Sequence, residues 1–517
     1  VELAGARRGA RGRAWVNLVV RTPRIRAGYR PGKGDTVIDI DAASILARLD
    51  ELRAADAPTH GGHVLSYVYD SGLAQLDDLA AEAMRRVQPV NGLDPTTFTS
   101  VAVMEREVVA FTRDMLHGGA DVVGSVTTGG TESCILAVKT ARDLWRGEGT
   151  PRLVIAATAH AAFQKAAHYL GLELDVVPVD ETGAVAAEAL IARLDAGVAL
   201  VVVSEPSYPT ASLDPVQQVA AAALQRGIPC HVDACIGGFV LPFWGELPEW
   251  DFHVAGVTSI SADVHKFGYA PKGVSVLLHR GLDRHRAQYF ATTQWPGYPV
   301  VNPTILGSKS AAPLAAGWAI LTGIGAAGLA ELAESCHRST DALVALIGSI
   351  DGLRVVGSPV GPLIAVAADE DVDAATRVDP HHWADEARAL GWIIQQQPGL
   401  TQSDGVHVPA TTHLTITPVT ESILEPLSAG LIAAAEAARG IPSIAPSDAL
   451  AALPEGLLAS LDGALDSETA WGLLTALGMG DGGVPDRMAP LLALMEGLPA
   501  PIAERLLTEL LARVIAP

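Results

Sequence analysis

Lysine is the scarce residue of this chain. Only Lys33, Lys139, Lys165, Lys266, Lys272 and Lys309 stand among 36 basic residues, the rest being arginine. Arginine neither forms a stable Schiff base nor gives up its proton readily, so chemistry that needs a free amine has few candidates here. Cysteine is sparse too: Cys134, Cys230, Cys235 and Cys336 show no metal-site spacing and no dense disulfide framework, and a reduced cytoplasm is the expected location. Charged residues reach only 18% against 49% apolar, the balance of a globular chain with a large core. Positive charge is short overall. A net charge of −22 and a pI near 5.0 argue against nucleic acid or an anionic membrane as a general partner. No run of about 18 apolar residues is free of Gly, Pro and charge, so no integral membrane segment is expected. The exception in charge is the start, where residues 1–33 carry eight arginines and Lys33 against the single acid Glu2. That stretch reads as a disordered arm or as upstream sequence outside the fold, and its apolar run at 15–20 is too short for a signal-peptide core.

The middle of the chain alternates short β-rich runs with alanine- and leucine-rich helical patterns. Strands are expected at 124–127, 153–156, 200–204, 230–233, 258–261 and 274–279, and helices at 131–146, 161–170 and 215–226, the last stopped by Gly227-Ile228-Pro229. Such alternation predicts an α/β layer built on a mainly parallel sheet flanked by helices, with functional groups at strand ends. The pattern changes near residue 331. The expected organisation is an N-terminal segment at 1–60, a large domain at 61–330, a smaller α+β domain at 331–440 and a leucine-rich helical extension at 441–517 that docks on the body or on a second subunit.

Several sites of chemistry fall on this frame. Lys266 lies in Ser261-Ala262-Asp263-Val264-His265-Lys266-Phe267-Gly268-Tyr269, 33 residues after Asp233 in His231-Val232-Asp233-Ala234-Cys235. Pyridoxal 5'-phosphate (PLP) enzymes need such a pair: a lysine to hold the cofactor aldehyde and an acid to keep the pyridine nitrogen protonated. A charged Asp233 among apolar neighbours is costly without a cationic partner, which the pyridinium supplies. Thr128-Gly129-Gly130-Thr131-Glu132-Ser133 joins a strand to a helix, and its small residues and free N–H groups suit the cofactor phosphate, with Gly129, Gly130 and Thr131 as the cradle. No Gly-Lys-Ser/Thr follows, so it is not a Walker loop. His160 follows a strand, where an imidazole can stack on the ring and shuttle protons. His265 could help position the phosphate, and Lys272 reads as a second anion contact. Taken alone, the Gly-Gly turn is better explained as an ordinary helix cap and His160 as a cap or core residue.

These residues, in this order, resemble group II PLP-dependent decarboxylases, and within them the sphingosine-1-phosphate lyases. The likeness also takes in Gly118-Gly119-Ala120-Asp121, Ala159-His160-Ala161-Ala162-Phe163, Ala270-Pro271-Lys272-Gly273 and Pro303-Thr304-Ile305-Leu306-Gly307-Ser308, with Gly478-Met479 and Val484-Pro485-Asp486-Arg487 near the end. The resemblance implies a fold-type I, PLP-dependent transferase-like architecture with a seven-stranded type of sheet, and a homodimer with shared active sites. It implies that Lys266 makes the Schiff base, Asp233 meets the pyridine nitrogen, His160 stacks on the ring and Gly130 and Thr131 bind its phosphate. Gly307 and Ser308 would reach the neighbouring subunit's cofactor, and Tyr69 and Lys272 the substrate phosphate. The implied reaction is retro-aldol cleavage of a phosphorylated long-chain amino alcohol to an aldehyde and phosphoethanolamine; amino-acid decarboxylation is the alternative on the same scaffold. Departures bear on the substrate. Asp94 stands where the lyases usually carry a phosphate-binding histidine, Glu205 and Thr210 replace an expected Thr and His, Gln294-Trp295-Pro296-Gly297 is altered, and Lys309 replaces an arginine. The eukaryotic membrane anchor is not expected. A non-catalytic relative would have lost Lys266 or Asp233, and a metalloenzyme would show His spacing that is not seen.

Overall fold

In the computed structural model the described residues are 40–451, 465–475, 479 and 485–516. The arginine-rich start, Gly478 and Val484 lie outside them. Contacts divide the chain into one unit ending at Ala57, whose described helix is α1 (Ala42–Arg53), and a second unit from Pro58 onward.

The second unit opens with helices α2 (Ala74–Arg86) and α3 (Thr99–Met115) and enters a sheet at β1 (Val122–Thr127). Then follow α4 (Gly130–Leu144), β2 (Arg152–Ala156), α5 (Ala162–Leu170), β3 (Glu173–Val177), α6 (Ala187–Ile191), β4 (Val198–Ser204), α7 (Val216–Arg226), β5 (Cys230–Asp233), β6 (Val257–Ala262) and β7 (Ser275–Arg280). Sheet order is β1-β7-β6-β5-β4-β2-β3, with only β7 antiparallel to its neighbours. This is the α/β, mainly parallel, seven-stranded fold-type I sheet. The edge strand β3 escapes sequence reading because its run, Glu-Leu-Asp-Val-Val, is short, half-exposed and carries two acids.

Alternation along the strands explains why both faces are covered. Leu153, Ile155, Leu200 and Val202 bury against Ile135, Val138, Phe163 and Ala166 of α4 and α5. Their neighbours Val154, Ala156, Val201 and Val203 turn to the opposite face and its larger core. Phe163 is fully buried, so truncating it to alanine should cost about 3–5 kcal/mol. Gly227 ends α7 in the left-handed conformation that an L-side chain resists.

After β7 come α8 (Leu282–Gln288), a hairpin of β8 (Phe290–Thr292) and β9 (Val300–Asn302), and the long α9 (Ala312–Ile347). The change of pattern expected near 331 falls inside α9, just beyond a non-helical kink at Gly325. By length and hydropathy α9 could span a membrane, yet half of its most apolar window is buried within the fold, where it packs on α2 and α3. A four-stranded antiparallel sheet follows, of β10 (Leu353–Val355), β11 (Leu363–Ala368), β12 (Gln395–Gln397) and a strand at Thr411–Thr415, covered by α10 (Pro380–Ala389) and the helix Leu424–Ala438. The terminal helices Ser467–Leu474, Ala489–Gly497 and Ala500–Val514 share their own small core.

Candidate active site

Strand register gathers the site. Ser204 at the end of β4 sits opposite Asp233 at the end of β5, and Asp233 opposite Ser261 on β6. Parallel strands end together, so these polar residues form one row at the sheet's edge, and Lys266 follows five positions beyond Ser261. A cavity of about 510 Å³ opens there, lined by Tyr69, Gly129, Gly130, Thr131, His160, Asp233, His265 and Lys266 of the expected set. Tyr67, Tyr208, Cys235, Asp263 and Gln395 join them.

The helix start at Gly130 is built for close approach. Gly129 has φ 151 and offers no side-chain cap, so the first N–H groups of α4 are left free. A Cβ on Gly130 would come within 2.6 Å of Asp263 Oδ2 and 2.8 Å of Cys235 Sγ. Glu132 braces the turn: its Oε2 accepts from the Thr128 N–H and hydroxyl at 2.6 and 2.8 Å, and its Oε1 from the Ile305 N–H at 2.6 Å.

Lys266 Nζ lies 3.0 Å from Asp263 Oδ2, and His265 Nε2 3.4 Å from the same oxygen. These are ion-pair contacts without well-directed hydrogen bonds, since both Asp263 oxygens are buried and otherwise unpartnered. Burial opposes the charge on each group, but the mutual attraction outweighs it: Lys266 is held well above its ordinary pKa and Asp263 well below the usual carboxylate range. The backbone N–H groups of Gly273 and Val274 point to His265 Nδ1 at 3.2 and 3.4 Å, which assigns the ring proton to Nε2, facing Asp263. His160 Nδ1 likewise accepts the Ala162 N–H at 3.2 Å, so it caps α5 and lines the cavity at once. Asp233 Oδ1 takes the Cys235 N–H at 3.1 Å and lies 3.4 Å from the Ser261 hydroxyl.

Lys272 does not line the cavity, but its Nζ stands 4.3 Å from the centroid of the Tyr69 ring, which does, and donates to the His265 carbonyl at 3.2 Å. Partial desolvation of its ammonium and the Lys266 charge lower its pKa to about 8, although the residue as a whole is exposed. Burial pushes the Tyr69 phenol up to about 12. Tyr208 donates to Gln395 Oε1 at 2.6 Å, tying the large sheet to β12.

Some expected residues are not brought to the cavity within the chain. Asp94 is half-buried, and Thr96 and Thr97 use both of its oxygens in a turn cap, away from the residues that line the cavity. Gly307 and Ser308 sit on the loop after β9, where Ser308 Oγ accepts from Asn91. Glu205 and Thr210 lie behind the wall that Ser204, Pro206 and Tyr208 present, and the altered stretch 294–297 lies on the β8–β9 hairpin. Asp263 was visible in the lysine motif but its ion pair was not; Gln395, 129 residues after Lys266, carries no local signal at all.

The donor set fits PLP: free helix-start amides for a phosphate, a carboxylate for a ring nitrogen, an imidazole and one half-buried amine, with no Cβ at the crowded turn. Comparison with known proteins agrees. The sequence model of the pyridoxal-dependent decarboxylase conserved domain matches residues 60–286, and that of a C-terminal HTH-type domain of pyridoxal-dependent enzymes matches 447–513. The solved sphingosine-1-phosphate lyase of Burkholderia pseudomallei is 32% identical, with TM-score 0.70 over 80% of this chain and 93% of that one. The chain belongs to the pyridoxal-dependent decarboxylase family, on its sphingosine-1-phosphate lyase-like branch. PLP is the cofactor this membership implies. The sphingosine-1-phosphate lyases of Dictyostelium discoideum and Oryza sativa are 39% and 36% identical over 54% and 63% of this chain. The chain spans 54% and 61% of the lengths of those two relatives. A Lactobacillus brevis glutamate decarboxylase shares the fold, with TM-score 0.69 at 19% identity over 81% of this chain and 97% of that one.

Proposed function

We propose that the protein is a PLP-dependent carbon–carbon lyase that cleaves a phosphorylated long-chain amino alcohol to an aldehyde and phosphoethanolamine. The observation that carries this reading is the Lys266 cavity with a second cation just outside its lining, Lys272, whose Nζ stands over the ring of the cavity residue Tyr69. A phosphate headgroup seated there would place the amine of a two-carbon head near Lys266. PLP, when bound, supplies an electron sink for negative charge at the amine-bearing carbon. The chain's residues do the rest. The α4 start would bind the cofactor phosphate, Asp233 would keep the ring nitrogen protonated, and His160 would lie against the ring. Lys266 Nζ, charged beside Asp263, and His160 are the groups placed to move protons. Tyr69 and Tyr208 form part of the cavity wall.

The test is product analysis with purified holoprotein, a phosphorylated long-chain base and a panel of amino acids. Equal amounts of aldehyde and phosphoethanolamine are expected. Carbon dioxide from an amino acid without aldehyde would move the assignment to decarboxylation.

Two further expectations rest on the same reading. The protein acts as a homodimer: Phe290, Trp295, Tyr298, Val301, Ile305 and Leu306 form an exposed apolar surface beside Gly307 and Ser308. Light scattering should return twice the chain mass, and a monomer with full activity would remove the shared-site idea. A reducing cytoplasm is the proposed location, supported by four unpaired, buried cysteines, and cell fractionation checks it.

A further inference from the structure

A second group of ligating side chains lies at the other end of the sheet. His117 follows α3 and precedes β1; Asp251 and His253 precede β6. Because β1 and β6 each run antiparallel to the β7 between them, their N-terminal ends lie side by side, away from the edge that carries Asp233 and Lys266. His117 Nδ1 stands 2.6 Å from Asp251 Oδ2, His253 Nδ1 3.3 Å from Asp251 Oδ1, and the two rings stack with centroids 4.0 Å apart. All three ligand atoms fall within 4.8 Å of one another.

The corner is held firmly. The Phe252 N–H donates to the Leu116 carbonyl at 3.3 Å, the His253 N–H to Asp251 Oδ1 at 2.9 Å, and Arg280 Nη2 to the Phe252 carbonyl at 2.8 Å. His117 holds a φ of 54, the left-handed region that a non-glycine residue enters at a cost. Charge is what decides the reading. Asp251 is 5% exposed, and among the described residues only the two imidazoles stand within ion-pair distance of it. Arg280, which reaches this corner, spends its donors on backbone carbonyls and approaches Asp121 instead. A buried carboxylate flanked by two imidazole nitrogens, with no arginine or lysine in ion-pair distance, is a donor set whose charge a divalent ion would balance.

We propose that His117, Asp251 and His253 bind one Zn²⁺ per chain as a structural clasp between the N-terminal ends of β1 and β6. Two imidazole nitrogens and one carboxylate oxygen suit zinc at bond lengths of about 2.0–2.2 Å, with water completing a tetrahedron. The half-exposed histidines give the ion its entry path. No ligand spacing announces the site in the sequence, since His117 stands 134 residues before Asp251. The clasp is separate from Cys134, Asp233 and Cys235, which belong to the cofactor cavity.

The experiment uses chelator-stripped holoprotein titrated with ZnCl₂ by calorimetry, beside His117→Gln and His253→Gln. One zinc per chain is expected, weakened at least tenfold in each variant, with zinc raising the melting temperature of the parent but not of the variants. Co²⁺ in its place should give the visible absorption of a four-coordinate nitrogen and oxygen site. Both histidines are exposed and remote from the cavity, so the variants should fold and keep turnover. Zinc binding that is absent, or unchanged in both variants, overturns the proposal.

Discussion

Lys272 carries the clearest pH signature among the individual residues. Its pKa falls from the lysine range to about 8, so the cation is present below that pH and is lost as pH rises through it. The KM for a phosphorylated substrate should therefore rise above pH 8, and Lys272→Arg should remove that rise because guanidinium stays charged. Lys272→Ala should raise KM about tenfold at pH 7, the worth of one partly solvated charge contact. A KM flat from pH 7 to 9.5 in the parent would take Lys272 out of headgroup binding. At Lys266 the expectation is sharper: Lys266→Ala should abolish turnover and the visible absorbance of covalently held cofactor, and unchanged turnover would end its assignment. Both lysines stand out in a chain with six. Their partners do not. Asp263 is near in sequence to half a dozen polar residues, and only the fold shows that it faces Lys266 rather than solvent.

Among the elements, the β1–α4 turn and the end of β4 repay experiment. Gly130→Ala would force a methyl against Asp263 Oδ2 and Cys235 Sγ, both buried, so cofactor affinity should fall at least tenfold; titration of the apoprotein with PLP by fluorescence checks it. An unchanged affinity would mean the turn is not the phosphate cradle. Beyond β4, Glu205 and Asp214 form a buried acidic pair. Burial raises both, Asp214 to about 7 against an ordinary 3.8, with the Asp233 charge adding to it. A raised carboxyl pKa means the folded protein keeps a proton that the unfolded chain releases, so this contribution to stability is whole below about pH 4 and drains away as pH rises to about 7. Asp214→Asn keeps an acceptor for the Ser204 N–H and cannot ionise. It should narrow the difference in urea midpoint between pH 5 and pH 8, and an unaltered difference would show that Asp214 does not hold a proton there. Periodicity located these strands and helices because two-sided burial writes runs such as 198–203 in unbroken apolar residues. It missed β3, whose exposed edge demands no such pattern.

For the molecule as a whole, Asp385 latches the C-terminal helices to the smaller sheet layer. Its oxygens accept the Met488 and Ala489 N–H groups at 2.9 and 3.1 Å, capping the helix Ala489–Gly497, while Arg487 pairs with Glu386 at 2.7 Å. Asp385→Ala should cost about 1 kcal/mol as a lost cap and speed proteolytic release of these helices. Equal protection in parent and variant would show that the apolar contacts alone hold them. By itself the sequence determined the alternating α/β order, the cofactor class and the choice of Lys266 and Asp233 as candidates, because each is written in local residue types and motifs. Tertiary structure alone decided which residues share the cavity. It brought Tyr208 and Gln395 in, left Asp94 capping its own turn, and put His117 against Asp251 and His253. Parallel strands collect residues that are far apart along the chain, and a side chain's partners follow from register and burial, which no local pattern records.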